Sequence, residues 1–574
     1  MDSKKIFLAA LPFLIYEDIV FFLLKDLTIL TCFSGIFIST FFTFFVICLA
    51  TSFSKIFYNV HYILQSTMFL SNIIYFNKTD KAFSFSLLKS FSEGSEYILD
   101  TILEKNNIIY FLIFLALTIY VVFINKKVLV REKTFMLIPI SLLSLTIGFV
   151  LIFTSGDSYG VGMAFSPKVN FKEFNDSNKN LYLSGLTLYT IRDFGNSFIF
   201  NKQSLTSEEE VFLDEAYKEE PSIKNDKTGI FDGYNLVLLQ IEGGDKYLID
   251  YMPNLKKMSE NSLYFENHYS LYNGGGSTFN SDLMVSTGYS MLSTGNESAS
   301  FYSNLTYKDT LANRFKEKGY TINAFHNNYG IYYDRTNNYK AFGYDSYNGL
   351  IEDFKYNDLS WRKDTELSKY FDKMLPTDTP FVSNVITMSI HMPFESNSKE
   401  AKLFNVDESL NEDEIIKIYA KETDDFIGML LDELDKRGLS DNTIIVAYSD
   451  HFLYTVSDKE NLVRNRNGVS ETNDLDNTTF LIYGKDLSKE VIDKINSHTD
   501  ILPTILNLFG FSYNKNQYVG RDIFDDTYEG LVIYPNLEYR DKDGVHSIQD
   551  GSYEYNLLRK NDLTLLGNYF KKDE

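Results

Sequence analysis

The chain is 574 residues long, too long for one hydrophobic core, and its 77 acidic against 54 basic side chains give a net charge of −23. That balance excludes a nucleic-acid partner, which demands clustered Lys and Arg. Both cysteines, Cys32 and Cys48, fall in one apolar run, so the rest of the chain has neither a disulfide nor a thiolate metal site.

Residues 1–155 hold five apolar segments: Ile6–Leu24, Thr28–Thr51, Ile56–Phe76, Ile108–Ile124 and Met136–Thr154. Each approaches the roughly 20 residues that cross a bilayer. Helices buried in a large soluble core are the competing reading, but five in succession with short connections favour spans. Lys4 and Lys5 precede the first segment, which has no small-residue cleavage site before the next, so it reads as a retained span rather than a signal peptide. Glu17 and Asp18 lie inside it, where a carboxylate marks function, bundle pairing, a break or an interfacial position. Lys4, Lys5, Lys55, Lys126, Lys127, Arg131 and Lys133 fall on one side if the N-terminus is cytoplasmic. The mixed-charge loop from Lys78 to Lys105 and everything after Thr154 then lie outside the cell.

Residues 156–230 form a polar connector. Asn180–Phe200 has some amphipathic character, and Ser207-Glu208-Glu209-Glu210 before Val211, Phe212 and Leu213 reads as a capped short helix. From residue 231 to 574, strand-like and helix-like runs alternate. The expected strands are Asn235–Ile241, Thr321–Phe325, Phe381–Ser389, Thr443–Tyr448 and Thr478–Tyr483. Their near-continuous hydrophobicity suits a mainly parallel sheet buried on both faces. Lys246–Glu260, Leu311–Lys318, Glu412–Arg437 and Ile492–Leu508 read as helices, which makes an α/β sandwich with a small C-terminal part.

Several strands end in residues that bind metals or move protons: Glu242 before Gly243-Gly244, His326, His391, and Asp450-His451. Ligands in open α/β sheets bind beyond the carboxyl ends of the strands, so a shared site outweighs a set of unrelated loop residues. The stretch Gly274-Gly275-Gly276-Ser277-Thr278-Phe279-Asn280-Ser281-Asp282 is, on its own, a glycine-rich loop with a helix N-cap. Beside the strand ends it places a hydroxyl where a helix N-terminus favours anions. Glu242, Asp450, His451 and Thr278 offer oxygen and imidazole ligands for Mn²⁺, Mg²⁺ or Zn²⁺. Such an ion would turn Thr278 into a nucleophile. His326 and His391 can bind substrate oxygens or move protons, and Arg335 can clamp a phosphate or pair with a neighbouring acid.

These motifs, in this order, resemble the lipoteichoic acid synthase family, polyglycerolphosphate synthases of the alkaline phosphatase/sulfatase superfamily. Asn235–Glu242 resembles the family's first strand with its metal-binding glutamate, Gly276-Ser277-Thr278 its nucleophile loop, and Ser449-Asp450-His451 its metal-binding pair. The segment from His326 to Gly343 resembles a substrate-binding segment with Arg335 as the phosphate-contacting arginine, and Thr387–Phe394 the segment carrying a substrate-binding histidine, His391. His498-Thr499-Asp500-Ile501-Leu502-Pro503-Thr504 resembles a superfamily segment near the end of the fold. Three positions depart from the pattern. Ser277 stands where a Lys is frequent, Tyr333 where a Trp is common, and Phe452-Leu453-Tyr454 where a Gly often follows closely.

The resemblance implies a five-helix transmembrane bundle followed by an extracellular sulfatase-like domain, multi-pass in the cell membrane of a Gram-positive-type bacterium. It implies one divalent ion, Mn²⁺ foremost, held by Glu242, Thr278, Asp450 and His451, with Thr278 as nucleophile and His326, Tyr333, Arg335 and His391 on the substrate. The implied reaction moves glycerol phosphate from a phospholipid, most simply phosphatidylglycerol, to a glycolipid or growing polyglycerolphosphate. Three other readings compete with this one. Phosphoethanolamine transferases typically carry several disulfides, which this chain lacks outside its apolar third. A sulfatase needs a C/S-x-P/A-x-R motif, which Thr278–Asp282 does not supply. A non-catalytic polymer-binding scaffold has no use for the intact Glu242, Thr278, Asp450 and His451 set.

Overall fold

The computed structural model describes residues 3–23, 29–53, 55–79, 81–90, 105–127, 137–154, 166–173, 177–198, 205–271, 277–293, 298–466 and 474–573. Among the described residues of the N-terminal third, five long helices run over Ser3–Leu23, Ile29–Phe53, Lys55–Thr79, Lys105–Lys127 and Leu137–Thr154. Among the described residues, one stretch is both long and apolar enough to cross a membrane: Asn107–Asn125, 19 residues. At 1.5 Å per residue it spans roughly 28 Å, close to a bilayer's hydrocarbon core. Phe37–Leu49 and Pro139–Thr154 are shorter apolar stretches. Of the basic residues expected on the cytoplasmic side, Lys55 has a described side chain, which donates to Asn125 O at 2.6 Å; the others lie outside the described side chains.

The connector helix Ser177–Phe198 is broken at Gly185, whose φ of 75° and ψ of 166° leave the helical region. The break frees the amides of the next turn, and a carboxylate from the first helix takes them. Leu186 N and Thr187 N donate to Glu17 at 2.6 and 2.8 Å, and the Thr187 hydroxyl donates to it at 2.8 Å. Glu17 is thus a buried cap joining the connector to the bundle. Lower down, Val169 packs against Leu537, Ile548 and Leu558, and Lys179 donates to Asn536 O at 3.0 Å. The connector therefore touches both the N-terminal helices and the C-terminal part. The next helix, Ser207–Ala216, is capped one residue earlier than its acidic run suggests, by Thr206 and Glu209 in a reciprocal capping box.

The α/β domain is built on an eight-stranded sheet. Its strands are β1 (Asn235–Ile241), β2 (Ser262–Phe265), β4 (Thr321–His326), β5 (Ser346–Gly349), β6 (Phe381–Ile386), β7 (Thr443–Ser449), β8 (Phe480–Tyr483) and β9 (Glu490–Ile492), in the order β5-β4-β6-β1-β7-β8-β2-β9. The short strands β3 (His268–Tyr269) and β10 (Asn496–Ser497) pair separately, and β11 (Val532–Tyr534), β12 (Glu538–Asp541) and β13 (Gly544–Ser547) form a small antiparallel sheet. β1 is central, with Leu239 level with Val385 of β6 and Ala447 of β7. Its alternate residues feed two cores: Leu236 and Leu238 on one face, Val237, Leu239 and Ile241 on the other. Both faces are covered, which is why the strand is apolar nearly throughout.

Four elements differ from the pattern-based expectation. β8 runs antiparallel to both β7 and β2, which no hydrophobic pattern distinguishes from parallel burial. β6 ends at Ile386, after which the chain turns away and Met388 N is taken by the Asp364 side chain. Lys246–Glu260 is a 3₁₀ turn, Lys246–Tyr251, then a helix from Pro253 to Glu260, because the residue before a proline is pushed out of the helical region. Ile492 closes β9, and the final helix of the expected set starts at His498.

The helix break generates a prediction. A Cβ added to Gly185 would lie 2.2 Å from the Ser39 Cβ and Oγ, at a φ that L-residues rarely adopt. Gly185→Ala should therefore destabilise the protein by about 1–3 kcal/mol, read as a lower melting temperature in detergent.

Candidate active site

Four adjacent strands, β4, β6, β1 and β7, carry the site at their carboxyl ends. β1 delivers Glu242, β4 delivers His326, the segment after β6 delivers His391, and β7 delivers Asp450-His451. The Ser277–Thr287 helix sets Thr278 in its first turn, where unpaired amides favour negative charge. The glycines expected to shape the approach, Gly274, Gly275 and Gly276, lie outside the described residues.

The strand ends bring four side chains together. Thr278 Oγ1 is 3.3 Å from Glu242 Oε2 and 3.4 Å from His451 Nε2. His451 Nε2 is 3.4 Å from Glu242 Oε1 and 3.3 Å from Asp450 Oδ2. All four residues are buried. Asp450 Oδ1 is fixed by the amides of Gly243 and His451 at 2.9 and 2.8 Å, while Oδ2 has no hydrogen-bond partner among the described residues. Gly243 reaches that bond at φ 54°, where a Cβ would strike Leu453 at 2.7 Å.

This set fits a divalent cation. One ligand atom from each of Glu242, Asp450 and His451 lies within 4.8 Å of the others, close enough for a single ion to reach all three. An unpartnered carboxylate oxygen, a second carboxylate and a bare imidazole nitrogen are also the donor types that hard and borderline ions take. The charges point the same way. Burial works against the His451 cation, but Asp450 and Glu242 outweigh it and push its pKa up to about 9. Burial and then the neighbouring Glu242 charge push Asp450 well above the carboxylate range. The pocket therefore retains protons that a cation would displace.

The three histidines of the site share one tautomer. His326 Nδ1 lies 2.9 Å from Ile386 O, His391 Nδ1 2.8 Å from Met392 O, and His451 Nδ1 2.9 Å from Phe452 O. A carbonyl only accepts, so each Nδ1 carries a hydrogen; Nε2 keeps a lone pair in His326 and His391, and in His451 it is the atom that would give up its proton to a cation. Burial lowers the pKa of His326 and of His391, which keeps both rings neutral.

Arg335 is buried against Asp282, with Nε 2.9 Å from Oδ2, and its Nη2 has no hydrogen-bond partner among the described residues. It makes the ion pair of one reading and keeps a donor free for the other. Tyr333 lies beneath it, 5.0 Å from guanidinium carbon to ring centre. Tyr333 and Asp334 both hold left-handed backbone, φ 55° and 49°. Two such non-glycine residues in a row store strain, which the surroundings hold in place: Asn338 donates to Tyr333 O, and Ser303 and Asn337 donate to the Asp334 carboxylate.

Sequence reasoning missed the layer behind these groups. Gln240 donates to Thr278 O at 3.2 Å and to Asp282 Oδ1 at 2.7 Å, and accepts from the Tyr448 hydroxyl at 3.0 Å. Asp282 thereby links the Ser277–Thr287 helix to Arg335. The signals were present: Gln240 is the amide in an otherwise apolar strand interior, and Asp282 follows Thr278 by four positions, on the same helix face.

The geometry predicts metal-dependent stability. A divalent ion at about 100 times its dissociation constant should stabilise the protein by about 2.7 kcal/mol. Asp450→Asn should abolish that rise in melting temperature. The rise should also shrink as pH falls, because protons compete for Glu242, Asp450 and His451.

A family model described as Sulfatase matches residues 239–511. Lipoteichoic acid synthase of Staphylococcus aureus strain USA300 is 26% identical over 341 residues, 55% of this chain and 51% of that protein, and the same figures hold for strain N315. The chain spans about half the length of the curated relatives it matches. Among solved structures, the lipoteichoic acid synthase LtaP from Listeria monocytogenes aligns with a TM-score of 0.49 at 16% identity, covering 63% of this chain and 97% of that one. The C-terminal periplasmic domain of EcEptC from Escherichia coli aligns at 0.39 and 16%, covering 58% and 98%. The region that matches the Sulfatase model spans both the β1 strand end and the Asp450-His451 pair, and the chain is distantly similar to lipoteichoic acid synthase.

Proposed function

We propose that this protein is a membrane-anchored, metal-dependent phosphoglycerol transferase that uses Thr278 as its nucleophile. The observation that carries the reading is the Thr278 hydroxyl, buried at a helix N-terminus within 3.3–3.4 Å of Glu242 and His451. A divalent ion held by Glu242, Asp450, His451 and Thr278, with Mn²⁺ the first choice and Mg²⁺ or Zn²⁺ as alternatives, supplies a lowered hydroxyl pKa and charge neutralisation at the phosphate.

The protein's own groups do the rest. Thr278 Oγ forms a bond to the phosphorus of phosphatidylglycerol as the bond to the diacylglycerol oxygen breaks. The proton leaving Thr278 is the one the departing oxygen regains, so the half-reaction balances. Arg335 Nη2, the donor without a protein partner, binds a phosphate oxygen. His326 and His391, neutral with bare Nε2 atoms, accept protons and orient hydroxyls. In the second half, a hydroxyl of a glycolipid or polyglycerolphosphate chain attacks the phosphorus of the phosphoglycerol–threonine ester as the bond to Thr278 Oγ breaks, and His391 or His326 takes the attacking hydroxyl's proton and passes it to the departing Thr278 oxygen.

A lipid donor gives the N-terminal helices a physical purpose, because it keeps the site at the bilayer. Five helices of 18 to 25 residues support five spans with an extracellular domain. Their outward side chains support it too: Ile56, Phe57, Ile63, Ile119 and Leu143 are each at least 60% exposed, an arrangement suited to lipid and costly in water.

The test is diacylglycerol release from labelled phosphatidylglycerol by the full chain in proteoliposomes. Thr278→Ala should lower the rate by about 10³-fold or more while metal-dependent stabilisation persists. A variant that releases diacylglycerol at the normal rate would falsify the assignment.

A further inference from the structure

The segment that carries His391 leaves β6 at Ile386 and forms neither strand nor helix up to Pro393. Buried backbone of that kind needs partners from elsewhere. Four residues, Trp361–Asp364, supply most of them. Met388 N donates to Asp364 Oδ1 at 2.7 Å, and Ser389 N reaches the same carboxylate at 3.2 and 3.3 Å. Thr423, on the Glu412–Arg437 helix, donates to Asp364 Oδ2 at 2.6 Å. In return Asp364 N donates to Ser389 Oγ at 3.0 Å, and that hydroxyl donates to Arg362 O at 3.0 Å.

Arg362 completes the frame. Its Nη2 donates to His391 O at 3.0 Å and to Met392 O at 2.7 Å. Met392 O is also the acceptor of the His391 Nδ1 hydrogen. One carbonyl thus fixes the guanidinium and the imidazole together, which sets the direction of His391 Nε2. The neighbouring strand end is tied to the same segment: Asn327, next to His326, donates to Trp361 O and Lys363 O at 2.7 and 3.0 Å.

Asp364 is fully buried and Arg362 is 2% exposed. The hydrogen bonds to Asp364 come from two amides and a hydroxyl, with no cation among them. A buried carboxylate met only by neutral donors is expensive, and a connecting loop alone does not require one.

We propose that Asp364 and Arg362 are positioning residues for the substrate-binding histidines, acting through the backbone of residues 388–392 to hold His391 Nε2 towards the reacting phosphate. This rests on the transferase reading only in requiring that His391 meets the substrate.

The test uses the full chain in nanodiscs with Mn²⁺ and two substrates: labelled phosphatidylglycerol and bis(p-nitrophenyl) phosphate, whose cleavage does not depend on the head group. Asp364→Asn and Arg362→Lys are each assayed alone and in a His391→Ala background, and the Mn²⁺ affinity of every variant is titrated. Asp364→Asn should lower kcat roughly 10- to 100-fold, with Mn²⁺ affinity within about twofold of wild type. Either substitution should cost less than about twofold once His391 is gone, since both act through it. Arg362→Lys, which keeps the charge but loses the two-carbonyl fork, serves if Asp364→Asn does not fold. Losses that multiply in full on the His391→Ala background, or that fall in step with Mn²⁺ affinity, overturn the proposal. Wild type that cleaves the aryl diester but not the lipid refutes the head-group assignment and leaves this one standing. Wild type that cleaves neither overturns both.

Discussion

Two carboxylates, Glu242 and Asp450, share a buried pocket with one imidazole and one hydroxyl, and the site depends on how that charge is answered. Removing a carboxylate from water costs several kcal/mol, and a second one alongside raises the cost. His451 offsets part of it, and the unpartnered Asp450 Oδ2 marks the part left over. A cation held there would resolve the conflict, and in the proposed function it would also activate the Thr278 hydroxyl at the pocket's edge. The electrostatic problem and the chemistry therefore have one solution.

The sheet makes that concentration possible. Because β4, β6, β1 and β7 are adjacent and parallel, their carboxyl ends converge, and residues more than 200 positions apart in the chain meet. Behind them two frames keep the geometry. Gln240 and Asp282 couple the Ser277–Thr287 helix to Arg335, while Asp364 and Arg362 hold the His391 segment. The strained Tyr333–Asp334 turn sits between the frames and aims Arg335 inward. The connector, capped by Glu17 and packed on the C-terminal sheet, joins this body to the N-terminal helices.

Much of this was legible in the sequence because burial on both sheet faces leaves a simple trace. β1 and the Glu412–Arg437 helix follow their apolar patterns to the residue, and the polar groups at strand ends mark the site. What was hidden depends on partners distant in sequence. The direction of β8 is set by its neighbours β7 and β2, not by its own residues. Thr387–Ser389 looks like strand because it continues directly from the apolar run of β6, yet its amides go to Gln240 O and Asp364. Asp364 itself stands in a charged stretch that reads as surface, and only the tertiary fold buries it. The helix break at Gly185 was equally silent, since its cause is a carboxylate about 170 residues away.

The central claim is that Thr278 carries phosphoglycerol during turnover. Mass spectrometry of the Thr278 peptide, after the full chain is incubated with total bacterial lipid and quenched in acid, tests it most directly. The account predicts that this peptide gains the mass of one phosphoglycerol group, and that the gain vanishes when the divalent ion is chelated. An unmodified Thr278 peptide under conditions of active diacylglycerol release, or an adduct on another residue, would contradict it.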